Sequence, residues 1–344
     1  MASLDQQIDR FVQPFSSGLS EFIFYKIPIF GNDFPIIVLW LVTAATFFTF
    51  YYGFINIRAF PAALRLVFGS SEKTKGAQGE ITHFQALSTA ISGTVGIGNI
   101  GGVAVAISIG GPGAAFWLFL AGFLGMSTKF VECTLGVKYR KSNADGSVSG
   151  GPMYYLEHCL SIRGYPGLGK LLGSFYAISL VIGCFGIGNM FQSNQAYVQF
   201  LSITGGESSF FADKGWLFGI ILAGAVGLVI IGGIKSIAKA ASKIVPSMAG
   251  LYLVAALIIL ILSYDSIDDA FKLIIQSAFG LNSFAGGAIG ALIIGFQRSA
   301  FSNEAGMGTA SIAHSAVETN EPITEGLVSL LEPFIDTMVI CTLT

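Results

Sequence analysis

The sequence predicts an all-α polytopic membrane protein with an inverted internal repeat, and three observations carry that prediction. Of 344 residues, 53% are hydrophobic and only 11% charged, with a mean hydropathy of +0.71; soluble domains carry about twice that share of charge. Apolar runs long enough to cross about 30 Å of hydrocarbon recur along the chain. Two of these runs are interrupted by glycine-rich stretches, SGTVGIGNIGG from Ser92 to Gly102 and FSNEAGMGTA from Phe301 to Ala310. In lipid an unsatisfied backbone N–H or C=O costs several kcal/mol, so non-helical backbone is tolerated only where it lines an enclosed or watery cavity. Secondary transporters place such breaks near the midplane, around substrate and coupling ion. Two breaks in separate spans therefore point to a transporter.

The N-terminal stretch carries Asp5, Asp9 and Arg10 and lacks the basic end and short apolar core of a secretory signal. The segment FIFYKIPIFGNDF, with aromatics around Lys26 and Asp33, suits the membrane interface. Spans are expected at 36–56, 84–110, 113–137, 171–201, 216–233, 244–263 and 284–313, with an eighth from Gly326. The 171–201 run exceeds a straight crossing and is expected to tilt or to include an interfacial turn. The polar stretch from Ser263 to Leu281 is expected outside the membrane. After LLEPFIDTM the chain stops at Thr344, still apolar and without a basic or aromatic anchor, which reads as a fragment cut within a helix. The organisation expected is one transporter domain over 1–344. Residues 1–80 form an interfacial segment, an extra span and a basic loop; 81–283 form a first repeat; 284–344 form part of a second.

Charge placement orients these spans. If the first span ends inside, twelve Lys and Arg residues fall in cytoplasmic loops, including Arg58, Arg65, Lys73, Lys75, Arg140 and Lys239. Four face the other side: Arg10, Lys26, Lys214 and Lys272. That asymmetry puts the N-terminus outside. The loop 315–325 dissents, with Glu318, Glu321 and Glu325 and no basic residue. The two broken spans then run in opposite directions, as an inverted repeat requires. Cys133, Cys159, Cys184 and Cys341 show no paired spacing, and His83, His158 and His314 each stand alone near span ends, so a metal site built from them is not expected.

Gly96, Gly98 and Gly101 form a G-x-G-x-x-G pattern. A nucleotide-binding reading fails, because no strand precedes it and no acidic residue follows about twenty positions on. Two readings remain open: a helix-packing motif of small residues, and an unwound binding loop, which the polar Ser92, Thr94 and Asn99 favour. Sodium seeks hard oxygens, which open carbonyls and Ser, Thr or Asn side chains supply. A carboxylate seeks the free N–H groups and positive dipole of a half-helix N-terminus. With no acidic residue in the first break, a zwitterionic amino acid suits it better than a sugar or a pure cation.

GEITHFQALSTAISGTVGIGNIGGVAVAISIGGPGAAFWLFLAGFLGMSTKFVE, GGPMYYLE, FSNEAGMGTASIAH and LLEPFIDTMVICTLT together resemble the alanine or glycine:cation symporters, also called sodium:alanine symporters, over residues 80–344. The resemblance implies the inverted five-plus-five repeat fold of the neurotransmitter:sodium symporters, with an extra N-terminal span and an incomplete second repeat. It implies sodium-coupled uptake of alanine or glycine across the plasma (inner) membrane by a monomer, with Na+ as coupling ion, no other cofactor and no nucleic acid. By the same match Ser92, Thr94, Val95 and Asn99 bind the cation, and Thr94, Gly96, Gly98 and Asn99 bind substrate. Ile97 stands where many members carry Thr, the first eighty residues match loosely, and a further cation partner falls on a helix beyond residue 344.

Gln192, polar in mid-span within GIGNMFQSNQ, is placed beside the substrate by the resemblance. Phe296 and Phe301 flank the second break, where core packing is one reading and a lid over a small side chain the alternative. Lys129 and Glu132 are expected to snorkel to the cytoplasmic surface. Arg298, Glu304, Glu332 and Asp336 are expected to pair within the bundle or to face a watery vestibule, as structural ion pairs or as gating groups. Two other functions stay in view: a proton-coupled transporter using Glu304 as its titratable group, and a channel or sensor on the same scaffold. An enzyme is not expected, since no nucleophile–base or metal constellation is spaced for catalysis.

Overall fold

The computed structural model describes residues 4–29, 32–69, 77–280 and 287–344. The first helix, α1 (Leu4–Ile23), leaves Phe11, Phe15 and Phe22 exposed. A short antiparallel hairpin follows, Lys26–Ile29 against Asn32–Pro35, in the segment expected at the interface. Then comes the first apolar helix, α2 (Ile36–Tyr51), shorter than the run 36–56 because Gly53 and Phe54 take left-handed backbone. The short helices α3 (Ile55–Arg58) and α4 (Phe60–Phe68) complete the N-terminal part; Lys73 and Lys75 lie outside the described residues.

The first broken span is α5 (His83–Thr94) and α6 (Ile97–Gly110), bent by 43° at Val95-Gly96. A capping box starts α5: the Thr82 hydroxyl accepts from Gln85 N–H, and the Gln85 side chain accepts from Thr82 N–H at 3.0 Å. Next is α7 (Gly113–Lys138), the axis of the molecule. A small hairpin, Lys141–Ser142 against Val148–Ser149, leads into α8 (Pro152–Ile162) and α9 (Pro166–Phe185). A π-helical segment, Gly186–Met190, joins α9 to α10 (Phe191–Ile203). The long 171–201 run thus contains a π-bulge between α9 and α10.

Two further apolar helices, α11 (Gly215–Ile230) and α12 (Gly233–Leu262), lie on the outside, with α12 contributing Ala241 and Val245 to a cluster with Leu87 and Ile91 of α5. The stretch expected as an extramembrane loop contains α13 (Ile267–Phe279), which packs across the start of α7: Trp117 Nε1 donates to the Ala278 carbonyl at 3.2 Å. The second broken span is α14 (Gly287–Asn303) and α15 (Thr309–Ser315), separated by residues 304–308. The chain continues as α16 (Pro322–Ser329), α17 (Leu331–Pro333) and a π-helical turn over Phe334–Cys341.

The burial pattern separates centre from periphery. Of the apolar window in α7, 56% is buried, against 11% in α9 and in α12. Small residues let the other helices close on α7. A Cβ on Gly295 of α14 would sit 2.7 Å from the Ala114 carbonyl, and one on Gly122 of α7 would sit 2.6 Å from Thr337 Cγ2. By length and apolarity three helices among the described residues suffice to cross a bilayer, or four with the bent α5–α6 pair.

Candidate functional site

The first break is held open by one side chain. Asn99 Oδ1 accepts from Gly96 N–H at 2.7 Å, taking the amide that a continuous helix would give to Ser92. Asn99 N–H turns instead to the Gly96 carbonyl, at 3.1 Å, so the amide four residues beyond Val95 is also engaged elsewhere. The end of α5 thus presents carbonyls released from the helical ladder, and the start of α6 presents the positive end of its dipole.

The second break is organised the same way. Asn303 ends α14 and its Oδ1 accepts from Ala305 N–H at 3.0 Å. Glu304 then takes left-handed backbone (φ 54°), as do Gly306 (φ 93°) and Gly308 (φ 82°). Glu304 accepts a hydrogen bond from the Thr309 hydroxyl. From α7, Glu132 Oε2 accepts from both Gly306 N–H and Gly308 N–H, each at 3.1 Å. A carboxylate thereby satisfies two amides that the loop would otherwise leave buried and unpaired.

Both breaks converge on Asp336. Asn99 Nδ2 donates to Asp336 Oδ1 at 2.7 Å, to the Asp336 carbonyl at 3.0 Å and to Ser302 Oγ at 3.1 Å. Asp336 Oδ2 accepts from the Ser302 hydroxyl at 2.8 Å and from the Thr337 hydroxyl at 2.7 Å. Thr337 accepts in turn from Asn303 Nδ2 at 2.9 Å. Every one of these side chains is buried, Asn99, Asp336 and Thr337 completely. A carboxylate is thus enclosed by neutral donors, with no cation beside it among the described residues and with Cys341 Sγ at 3.3 Å from Asn99 Nδ2. Its surroundings differ from those of Glu332, which pairs with Lys129 at 3.0 Å.

The expected site residues separate into those gathered at this cluster and those turned away. Gln192, in the first turn of α10 just beyond the π-bulge, reaches Gly96: a Cβ on Gly96 would lie 3.5 Å from Gln192 Oε1. Gly98 lies against α14, where its Cβ would meet Ser302 Cα at 3.6 Å and the Phe301 ring at 3.7 Å. The helix-packing reading finds no close approach at Gly96, Gly98 or Gly101, where an added Cβ would meet its neighbours at ordinary van der Waals distance. The Ser92 hydroxyl is exposed and returns to the Thr89 carbonyl, while Thr94 is buried and donates weakly, at 3.4 Å, to Ala90 and Ile91. Val95 packs on the α5–α12 cluster. Phe296 faces α2 and α7, packed with Val38, Ala121 and Trp117.

Two charge expectations are corrected. Lys129 does not snorkel: it is fully buried between Glu332 and Glu132, because α14–α17 close over that side of α7. His83 and His314 do not stand alone, since both Nδ1 atoms meet the carboxylate of Glu325. Glu325 therefore points inward, and the acidic loop that dissented from the charge asymmetry loses one of its three charges to the interior. Sequence reasoning missed Ser302, Asn303 and Thr337 as members of the site. The four-residue spacings Ser299–Asn303 and Glu332–Asp336, which stack polar groups on one helical face in apolar runs, were the available signal.

A sequence profile of the sodium:alanine symporter family matches residues 21–344. The chain belongs to that family. The match starts well before residue 80, so α2, α3 and α4 share in it, while α1 lies almost wholly outside. The sodium/alanine symporter AgcS of Methanococcus maripaludis is 43% identical over 313 residues, covering 90% of this chain and 66% of that protein. The putative sodium/proton-dependent alanine carrier YrbD of Bacillus subtilis is 40% identical, covering 79% of this chain and 53% of that protein. The probable sodium/glutamine symporter GlnT of Bacillus subtilis is 34% identical, covering 90% and 61%. The chain thus spans between about half and two thirds of the length of these three relatives, each of which bears the name of a symporter or carrier.

Proposed function

We propose that this chain forms the ligand-binding part of a symporter that carries a small neutral amino acid, alanine or glycine, into the cell with Na+. The observation that carries the reading is the meeting of both broken spans at the Asp336 carboxylate. Family membership and the names of AgcS and YrbD support the same substrate class. Released carbonyls of Ser92, Thr94 and Val95, with Asn99 and Asp336, supply hard oxygens for Na+. The Gly98 N–H takes the substrate carboxylate at the positive end of α6, joined by the Gly96 N–H once Asn99 Oδ1 releases it. Gln192 Oε1, beside Gly96, offers an oxygen to the ammonium group, while Phe296 packs against α2 and α7. Carrying one charge inward at 100 mV supplies about 2.3 kcal/mol, or roughly fiftyfold accumulation of a neutral solute.

In this reading the architecture is the inverted five-plus-five repeat, with 81–283 as the first repeat and 284–344 within the second. The N-terminus is outside, the loops near Arg65, Arg140 and Lys239 are cytoplasmic, and the protein works as a monomer in the plasma membrane. The test is radiolabelled alanine uptake by the full-length gene product in proteoliposomes, with sodium, potassium or pH gradients imposed in turn. Uptake driven by inward sodium alone is the expected result. Uptake driven equally by a pH gradient without sodium would move the coupling to protons, and an uncoupled current would leave a channel.

A further inference from the structure

A second line of buried ionisable groups runs beside the Asp336 cluster and takes no part in the reading above. It begins at His83, the first residue of α5 and the member whose side chain is most open, at 13%. His83 Nδ1 meets one oxygen of Glu325, and His314 Nδ1 meets the other. His314 Nε2 then faces Glu332 Oε2 at 3.9 Å. Neither of those two atoms has a hydrogen-bond partner among the described residues. Glu332 Oε1 accepts from Lys129 Nζ, which lies 3.5 Å from Glu132 Oε1, and Glu132 holds the Gly306 and Gly308 amides of the second break.

The orphaned pair decides what this line does. An ionised Glu325 accepts from both imidazoles, so each carries its proton on Nδ1. A neutral His314 then points an Nε2 lone pair at a carboxylate lone pair, two desolvated acceptors face to face. A proton on Nε2 turns this opposition into a charge-assisted hydrogen bond between two carboxylates. We propose that His314, Glu325 and Glu332 form a proton-binding site, entered past His83, whose occupancy sets how firmly Glu132 holds the second break. With the proton bound, Glu332 closes on His314 and releases Lys129. Lys129 shifts onto Glu132 and draws its carboxylate from the two glycine amides, loosening residues 304–308.

The surrounding charges favour this direction. Three carboxylates, Glu132, Glu325 and Glu332, are opposed by Lys129 and by Arg140, which stands just beyond the end of α7 within electrostatic reach of Glu325. Cys133 on α7, Glu304 beside the second break and Asp336 lie within reach of Glu332, and Tyr155 of α8 and Tyr176 of α9 within reach of Glu132; none brings a further positive charge. Taking up one proton lowers an excess of negative charge in a place where charge is costly.

The test places a nitroxide spin label at Met307→Cys, an exposed position between the two held amides, in the full-length gene product with Cys159 and Cys184 replaced by Ala. Spectra are recorded in nanodiscs across about pH 5 to 8, the interval in which imidazole changes charge. The label is expected to gain mobility as pH falls. That shift should vanish in His314→Asn, whose amide nitrogen keeps the bond to Glu325 but binds no proton, and in Glu332→Gln, a neutral isostere. A parent spectrum that ignores pH, or an equal shift in whichever of the two variants folds, overturns the proposal. Sodium-driven alanine uptake measured on the same parent separates the two readings: loss of uptake with the shift intact defeats symport alone, and uptake without the shift defeats the proton site alone.

Discussion

Asn99 is the side chain through which the first break is joined to the rest of the bundle. Replacing it with Ala leaves the Gly96 N–H and an Asp336 oxygen without partners, at about 1–3 kcal/mol for each buried group. Asn99→Ala is therefore expected to lower both the unfolding temperature and the affinity for alanine, read by thermal unfolding and by equilibrium binding. Gln192→Ala, beside Gly96 but outside the Asp336 network, is expected to lower affinity while leaving the unfolding temperature nearly unchanged. Equal loss of stability in both variants would contradict that division of roles. Lys129→Ala is expected to be far more damaging to the fold, by about 3–5 kcal/mol, since it strands Glu332 and Glu132 in the interior. A small change in denaturant midpoint for that variant would mean the three charges are not buried as described.

At the scale of elements, the glycines divide by what their missing Cβ would meet. At Gly295 a Cβ would press into the backbone of α7, 2.6 Å from Trp117 Cβ and 2.7 Å from the Ala114 carbonyl. At Gly98 it would make ordinary contact with α14. Gly295→Ala should lower stability by an amount typical of overpacking, about 1–3 kcal/mol, whereas Gly98→Ala should fold normally and Gly98→Val should fold but lose transport. Thermal unfolding paired with uptake distinguishes the three, and a stable Gly295→Ala would contradict the close approach of α14 to α7. The two breaks were legible in the sequence because glycines and polar residues stand out in apolar runs. Helix α13 was not read, because Asp265, Asp268 and Asp269 mark the stretch as polar; yet Ile267, Ile274 and Ala278, spaced by seven and four, already trace the face that packs inward. The depth of Lys129 was misread for a related reason. Position along α7 gives distance from the helix end, but only α14–α17, far along the chain, decide whether that distance is filled with water or protein.

At the scale of the whole molecule, the sequence places two broken spans in opposite directions and leaves open what joins them. The joining group, Asp336, is 237 residues from Asn99, and no local pattern connects the two. Cysteines at Arg65, Lys141 and Lys239, all exposed, should be labelled by an impermeant reagent only from the cytoplasmic face. Labelling of two of the three from outside would reverse the topology and remove the inverted-repeat argument with it. The central claim is that both breaks and Asp336 make one site in which cation and amino acid bind together. Linkage requires that each ligand then tighten the other by the same factor. The most direct measurement is alanine affinity across a sodium titration for the full-length protein and for Asp336→Asn. The account predicts a steep rise in affinity with sodium in the parent and a much flatter one in the variant; sodium-dependent affinity that is identical in the two would contradict it.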